Sequence, residues 1–204
     1  MKKNEKLKKL PNIVLDTCKP ARKNFSPSEL QDSARHIFST RFPSDGSLTI
    51  EGAELARQIF EGGFAAAADS GQEIRRIARY LSMGLLKGID PAGGDFFLGA
   101  HVILWSAILS GLQKGYDLCE VAKGVICVLL KTGRDLNANM NELIRMVASV
   151  TIEAADNLPD EEIIPLEKML LGLVNGDFIC PDDECEWERN HIPAGSYQAG
   201  SLRV

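Results

Sequence analysis

The stretch from Phe96 to Gln113 runs for 18 residues without a formal charge, and His101 is its only titratable group. A helix of this composition has no charged face to offer water. The chain must therefore surround it with other elements or place it in a non-aqueous phase. Its length just reaches that of a membrane span, but His101, Ser106, Ser110 and Gln113 interrupt it. Val121–Leu130 is also apolar apart from Lys123, so residues 96–130 together read as a hydrophobic hairpin. The favoured expectation is a central helix buried all round by its neighbours. A membrane-inserting hairpin and an oligomer interface are the alternatives.

The rest of the chain is equipped to sheathe such a helix. Apolar residues make up 45% of the 204, which is enough for a core and excludes wholesale disorder. Apolar positions recur at helical spacing in segment after segment. Leu30, Ala34, Ile37 and Phe38 follow Ser26-Pro27-Ser28-Glu29, in which Ser26 caps, Pro27 takes the first helical position and Glu29 reaches back. A second helix is expected from Ile50 to Ala68, with Ala53, Ala56, Ile59, Phe60, Gly63, Phe64 and Ala67 inward. Glu54, Arg57 and Glu61 sit off that face at ion-pair spacing.

A third helix opens at the capping box Ser70-Gly71-Gln72-Glu73 and presents Ile74, Ile77, Ala78, Leu81 and Leu85. Gly88 is expected to end it. The fourth is the uncharged helix, from Phe96 to Lys114 and closed by Gly115. The fifth opens at Asp117 with Glu120 and ends at Thr132-Gly133. The sixth opens at Asn139 with Glu142 and presents Leu143, Ile144, Val147, Val150, Thr151 and Ala154. The last closes at Asn175-Gly176, and Pro165 kinks or starts it. No strand or hairpin signal competes. The predicted fold is an all-α, up-and-down bundle of about seven helices.

Similar phrases end successive helices: Leu86-Lys87-Gly88-Ile89-Asp90, Gln113-Lys114-Gly115-Tyr116-Asp117 and Lys131-Thr132-Gly133-Arg134-Asp135. Such recurrence fits antiparallel helices joined by short loops. The stretch Val121-Ala122-Lys123-Gly124-Val125-Ile126, continuing through Gly133, Arg134 and Asp135, resembles uncharacterised bacterial Gly/Ala-rich helical-repeat proteins over about the middle half of the chain. That resemblance implies helical packing and brings no function with it.

Charge divides the chain into three. Residues 1–28 carry eight basic and two acidic groups, a net +6, which leaves −11 for the remainder of a chain of net charge −5. Residues 177–188 add six acids and no base. The expected organisation is a basic extended arm over 1–25, a helical domain over 26–176 and an acidic extended tail over 177–204. Five cysteines, an odd number, make no disulfide framework and point to a reducing compartment. Cys119 and Cys127 read as small hydrophobes inside a helix. Ile13-Val14-Leu15 is too short for the core of a signal peptide, so the expected location is cytoplasmic.

Candidate chemistry is sparse. His101 is expected to be a hydrogen-bonded core histidine. Cys180, Cys185 and His191 form a C-x4-C-x5-H pattern that lacks a fourth zinc ligand. It reads first as an incidental pair of thiols, with a redox pair or a metal site as alternatives. Trp187, set between Glu186 and Glu188, reads as an aromatic anchor for a partner. The loop Pro91-Ala92-Gly93-Gly94-Asp95 lacks the lysine and serine of a phosphate-binding loop and reads as a turn ending in a cap. The helix glycines and alanines, including Gly63, Gly84, Gly99, Gly111 and Gly124, read as points of close backbone approach rather than a ligand slot. No catalytic residue, metal set or cofactor is expected.

The functional expectation is a non-catalytic interaction or accessory protein that docks a protein partner through its charged arms. Nucleic acid is not expected, since the basic head has no interleaved aromatics before Phe25 and the remainder is acidic. A membrane- or granule-associated protein using the 96–130 hairpin is the second reading. A ligand- or metal-binding bundle, with or without catalysis, is the third. Peripheral membrane contact and homo-oligomers follow from these as subsidiary expectations.

Overall fold

The computed structural model describes residues 26–41, 50–89, 95–156, 158 and 160–180. The basic arm, the loop residues 90–94, and Cys185, Trp187 and His191 lie outside them. Among the described residues there are seven helices and no strand. They are α1 (Pro27–Arg41), α2 (Ile50–Ser70), α3 (Ile74–Ile89), α4 (Phe96–Lys114), α5 (Leu118–Asp135), α6 (Met140–Ala154) and α7 (Asp160–Asn175). The fold is an all-α bundle, as the apolar periodicity predicts.

Helix starts follow the capping chemistry. The Ser26 N–H donates to Glu29 Oε2 at 2.8 Å while the Glu29 N–H donates to Ser26 Oγ at 3.3 Å, which closes the box. Asp95 accepts from the Leu98 N–H at 2.9 Å. Asp117 accepts from the Cys119 and Glu120 N–H groups. Asn139 accepts from the Glu142 N–H. The fourth expected box is corrected. Ser70 is the last residue of α2, and Gly71 follows with φ +67°, so this serine belongs to a helix end.

The expected terminal glycines divide into two kinds. Gly115 and Gly176 take left-handed backbone, φ +68° and +84°. Gly88 and Gly133 lie inside α3 and α5. Gly88 faces Phe38 and Gly133 faces Leu143, and both helices run past them. At α5 the left-handed residue is Asn137, φ 53°. A glycine near a helix end is selected either by the turn or by a crossing neighbour, and only the packing tells which. Pro165 lies inside α7 rather than at its start.

For α1, α2 and α3 the sequence neighbours are not the closest spatial neighbours. The three most extensive packings join alternate helices, α1 to α3, α3 to α5 and α2 to α4, followed by the sequence neighbours α4 and α5 and then by α4 and α6. Thus α1, α3 and α5 form one layer and α2, α4 and α6 a second, while α7 packs on both α6 and α5. Of the repeated helix-ending phrases, Gln113-Lys114-Gly115-Tyr116-Asp117 spans the connection from α4 to α5. Phe38, Ile59, Phe60, Phe64, Ile77, Leu81, Leu85, Ile103, Leu104, Ile108, Ile126 and Leu129 fill the space between, fully buried. Two close crossings depend on glycine. A Cβ on Gly84 would collide with the Gln31 carbonyl oxygen of α1 and come within 2.8 Å of Ala34 Cβ. A Cβ on Gly124 would collide with the Arg75 carbonyl oxygen of α3 and come within 3.1 Å of Ala78 Cβ.

Candidate functional site

The uncharged helix is central but is not buried all round, which corrects the first expectation for it. It packs on α2, α3, α5 and α6. Those neighbours cover Gly99, Ala100, Ile103, Leu104, Ser106, Ala107, Ile108, Ser110 and Gly111. The remaining face carries Leu98, His101, Val102, Trp105, Leu109 and Leu112. Leu98 is 46% exposed and the others are half-buried. Their spacing of three and four residues makes one stripe, about 21 Å long at 1.5 Å per residue. His101 lies in this stripe rather than in the core. Its ring stacks on Trp105 with centroids 6.3 Å apart and an interplanar angle of 16°.

The covered side of α4 is fastened by hydroxyls. Ser106 Oγ donates to the Ala53 carbonyl at 3.4 Å and Ser110 Oγ to the Arg57 carbonyl at 3.2 Å. Beyond the helix end, Tyr116 Oη donates to the Phe64 carbonyl at 2.7 Å. Ser106, Ser110 and, through Arg57, Gln113 thus bind α4 to α2. Burial followed by the nearby Asp69 carboxylate pushes the Tyr116 phenol up.

Beside the stripe lies the charged cluster expected on α2. Arg57 Nη2 pairs with Glu54 Oε1 at 2.7 Å, and Arg57 Nη1 pairs with Glu61. Arg57 also reaches Gln113 of α4 at 3.4 Å. The hydrogen bond from Arg57 holds the Glu54 carboxyl below its ordinary 4.5, with partial burial opposing. A carboxyl depressed in the folded state stabilises the fold above its unfolded pKa. That contribution is lost as pH falls through the folded value. Glu54→Gln is expected to lower stability slightly at neutral pH, within the small range of partly exposed pairs. It should also flatten the acid side of the stability profile below about pH 4.5. Urea melts at neutral pH and in acid measure both effects.

The second feature is a pair of thiols that sequence spacing does not connect. Cys127 on α5 is 8% exposed and shares a side-chain hydrogen bond with Cys180, which follows α7. Both are reduced. Cys119, the other cysteine of α5, is half-exposed at its first turn, and burial pushes its thiol up. The α7 ending brings Cys180 to Cys127. With Gly176 left-handed, the Asp177 and Phe178 N–H groups donate to the Gly172 carbonyl, at 2.8 and 3.1 Å. The chain then turns back, and Phe178 and Cys180 pack on the core. Among the described residues no group of three or more His, Cys, Asp or Glu is arranged to hold a metal. A signal for the α4 stripe is present in the sequence: Leu98, Val102, Trp105, Leu109 and Leu112 share a face that carries large side chains.

The fold and these two features define an all-α protein with a half-open apolar helix face and a partly buried dithiol. Comparison of the chain with protein-family models, curated proteins and solved structures found no match in any of the three.

Proposed function

We propose that this is a non-catalytic interaction protein that docks another protein on the α4 stripe, with the charged arms guiding the encounter. The observation that carries the reading is the half-exposed, uncharged run from Leu98 to Leu112 centred on the His101–Trp105 stack. An apolar patch with an aromatic at its middle has the composition of an interaction hot spot. The stripe carries no cation to neutralise phosphate, so the occupant it suits is the apolar ridge of a protein helix. Four turns of such a helix match its length. A net +6 at one end of the chain and six acids near the other supply long-range steering.

The membrane reading is the second. Among the described residues α4 is the one helix long and apolar enough to cross a bilayer, and half of that window is buried within the bundle. Its insertion would break the Ser106 and Ser110 bonds to α2 and strip α3, α5 and α6 of their partner. A protein partner requires no such opening.

A photo-crosslinking residue at position 98 of the full-length chain, used in the native host, tests the reading. The expected result is one dominant adduct with a different protein. Trp105→Glu should reduce that adduct about tenfold or more. Deleting residues 1–25 and 177–204 should weaken capture further. Crosslinks to lipid alone, or capture indifferent to Trp105→Glu, overturn the proposal. An adduct with a second copy assigns the stripe to self-association instead.

A further inference from the structure

We propose that Cys127 and Cys180 are a covalent modification site, a dithiol that closes to an intramolecular disulfide by exchange with a low-molecular-weight disulfide. The two side chains are already in hydrogen-bond contact, although one lies in the middle of α5 and the other beyond α7. Neither sits there by chance of exposure. Cys127 is placed by the α3–α5 crossing, which the missing Cβ of Gly124 permits. Cys180 is placed by the left-handed turn at Gly176 and by the seat of Phe178 on the core.

The two thiols have different parts in the exchange. Cys180 is half-buried and meets the reagent, whereas Cys127 is buried and resolves. The hydrogen bond to Cys180 and burial push the Cys127 thiol up. The positive charges of Arg79 and Arg75 on α3 act on Cys127 in the opposite sense and favour its thiolate when its turn comes. In the first step Cys180 loses its proton to solvent and its Sγ attacks one sulfur of the reagent. A mixed disulfide forms and one thiolate leaves. In the second, Cys127 loses its proton to solvent and its Sγ attacks Cys180 Sγ, the mixed bond breaks and the second thiolate leaves. Two protons return to the two released thiolates. The protein loses two electrons and two protons, and the reagent disulfide becomes two thiols. The product ties the segment leaving α7 to α5, beside α3.

The site differs from the C-x4-C-x5-H pattern, because the partner of Cys180 lies on another helix and not in the tail. The full-length protein is incubated with oxidised glutathione, its remaining thiols are alkylated, and it is digested without reduction for mass spectrometry. The expected product is a Cys127–Cys180 linked peptide that is lost on dithiothreitol treatment and forms unchanged in Cys185→Ser. Thermal unfolding of the oxidised protein should shift upward by several degrees, and in Cys180→Ser that shift should vanish. A dominant Cys180–Cys185 link overturns the proposal. So does glutathione retained on Cys180 with Cys127 still alkylatable, or no reaction at either residue.

Discussion

Gly124→Val is expected to destabilise the protein by about 3 kcal/mol or more, the upper range for overpacking a tight site. Alanine at the same position should already be harmful. In an exposed helix interior that exchange gains about 1 kcal/mol, because glycine is a poor helix former. Here the added Cβ meets the Arg75 carbonyl oxygen and, at 3.1 Å, Ala78 Cβ. A backbone oxygen inside a helix cannot swing aside, so relief requires α3 and α5 to separate. That separation would loosen Ile77, Leu81, Val125 and Leu129, all fully buried. Gly84 is expected to behave alike at the α1–α3 crossing, where the obstacle is the Gln31 carbonyl. Gly172 is the control. Nothing lies within 4 Å of a Cβ built there. Gly172→Ala should stabilise by about 0.5–1 kcal/mol. Urea unfolding of the three alanine variants and Gly124→Val measures the contrast. Equal effects at positions 84, 124 and 172 would contradict the close-crossing account.

The second large effect is expected from Phe64→Ala, a loss of about 3–5 kcal/mol. Phe64 is fully buried in α2. Its ring centroid lies 5.6 Å from that of Phe60 and 5.7 Å from that of Tyr116, the latter pair T-shaped. Removing it leaves a cavity between rings that cannot all collapse inward, because Tyr116 is also held by its hydroxyl on the Phe64 carbonyl. Tyr116→Phe keeps the ring and deletes that bond, and is expected to cost about 1 kcal/mol. Calorimetric or chemical unfolding of Phe64→Ala, Tyr116→Phe and the double variant separates cavity from hydrogen bond. The effects should not add, since both residues share one contact. Strict additivity would show that the tyrosine bond acts independently of the ring packing.

Much of this fold was legible from one-dimensional pattern because helix formation and capping are local. Ser26 with Glu29, Asp117 with Glu120 and Asn139 with Glu142 each close within three residues. The ion pairs of Glu54, Arg57 and Glu61 depend only on helical spacing, and they form. Ser70 and Gly71 were harder. The same residues that would open α3 also serve to close α2, and the choice is made by how far α2 extends before turning. Gly88 and Gly133 pose the same ambiguity, since a terminator and a packing notch use one residue type.

The exposure of the α4 stripe and the thiol pair were not legible for a different reason. Composition fixes that Phe96–Gln113 avoids charge, but not how much of its circumference neighbours cover. Coverage depends on which helices become its neighbours, and the packing of alternate helices into two layers leaves one side of α4 open. His101 moves from its expected core position to that open side for the same cause. The meeting of Cys127 and Cys180 requires three packings at once: α3 against α5, α7 against the bundle, and the turn after Gly176.

By itself the sequence determined an all-α body, the caps that start most of its helices and an uncharged segment that must find apolar neighbours. These follow from interactions within a few residues. Only the tertiary structure decided that the uncharged helix keeps one face half open, that Gly84 and Gly124 are crossing points, and that Cys180 faces α5. Contacts between residues far apart in the chain depend on the order in which helices stack. That order is set by the summed packing of all seven helices rather than by any one of them.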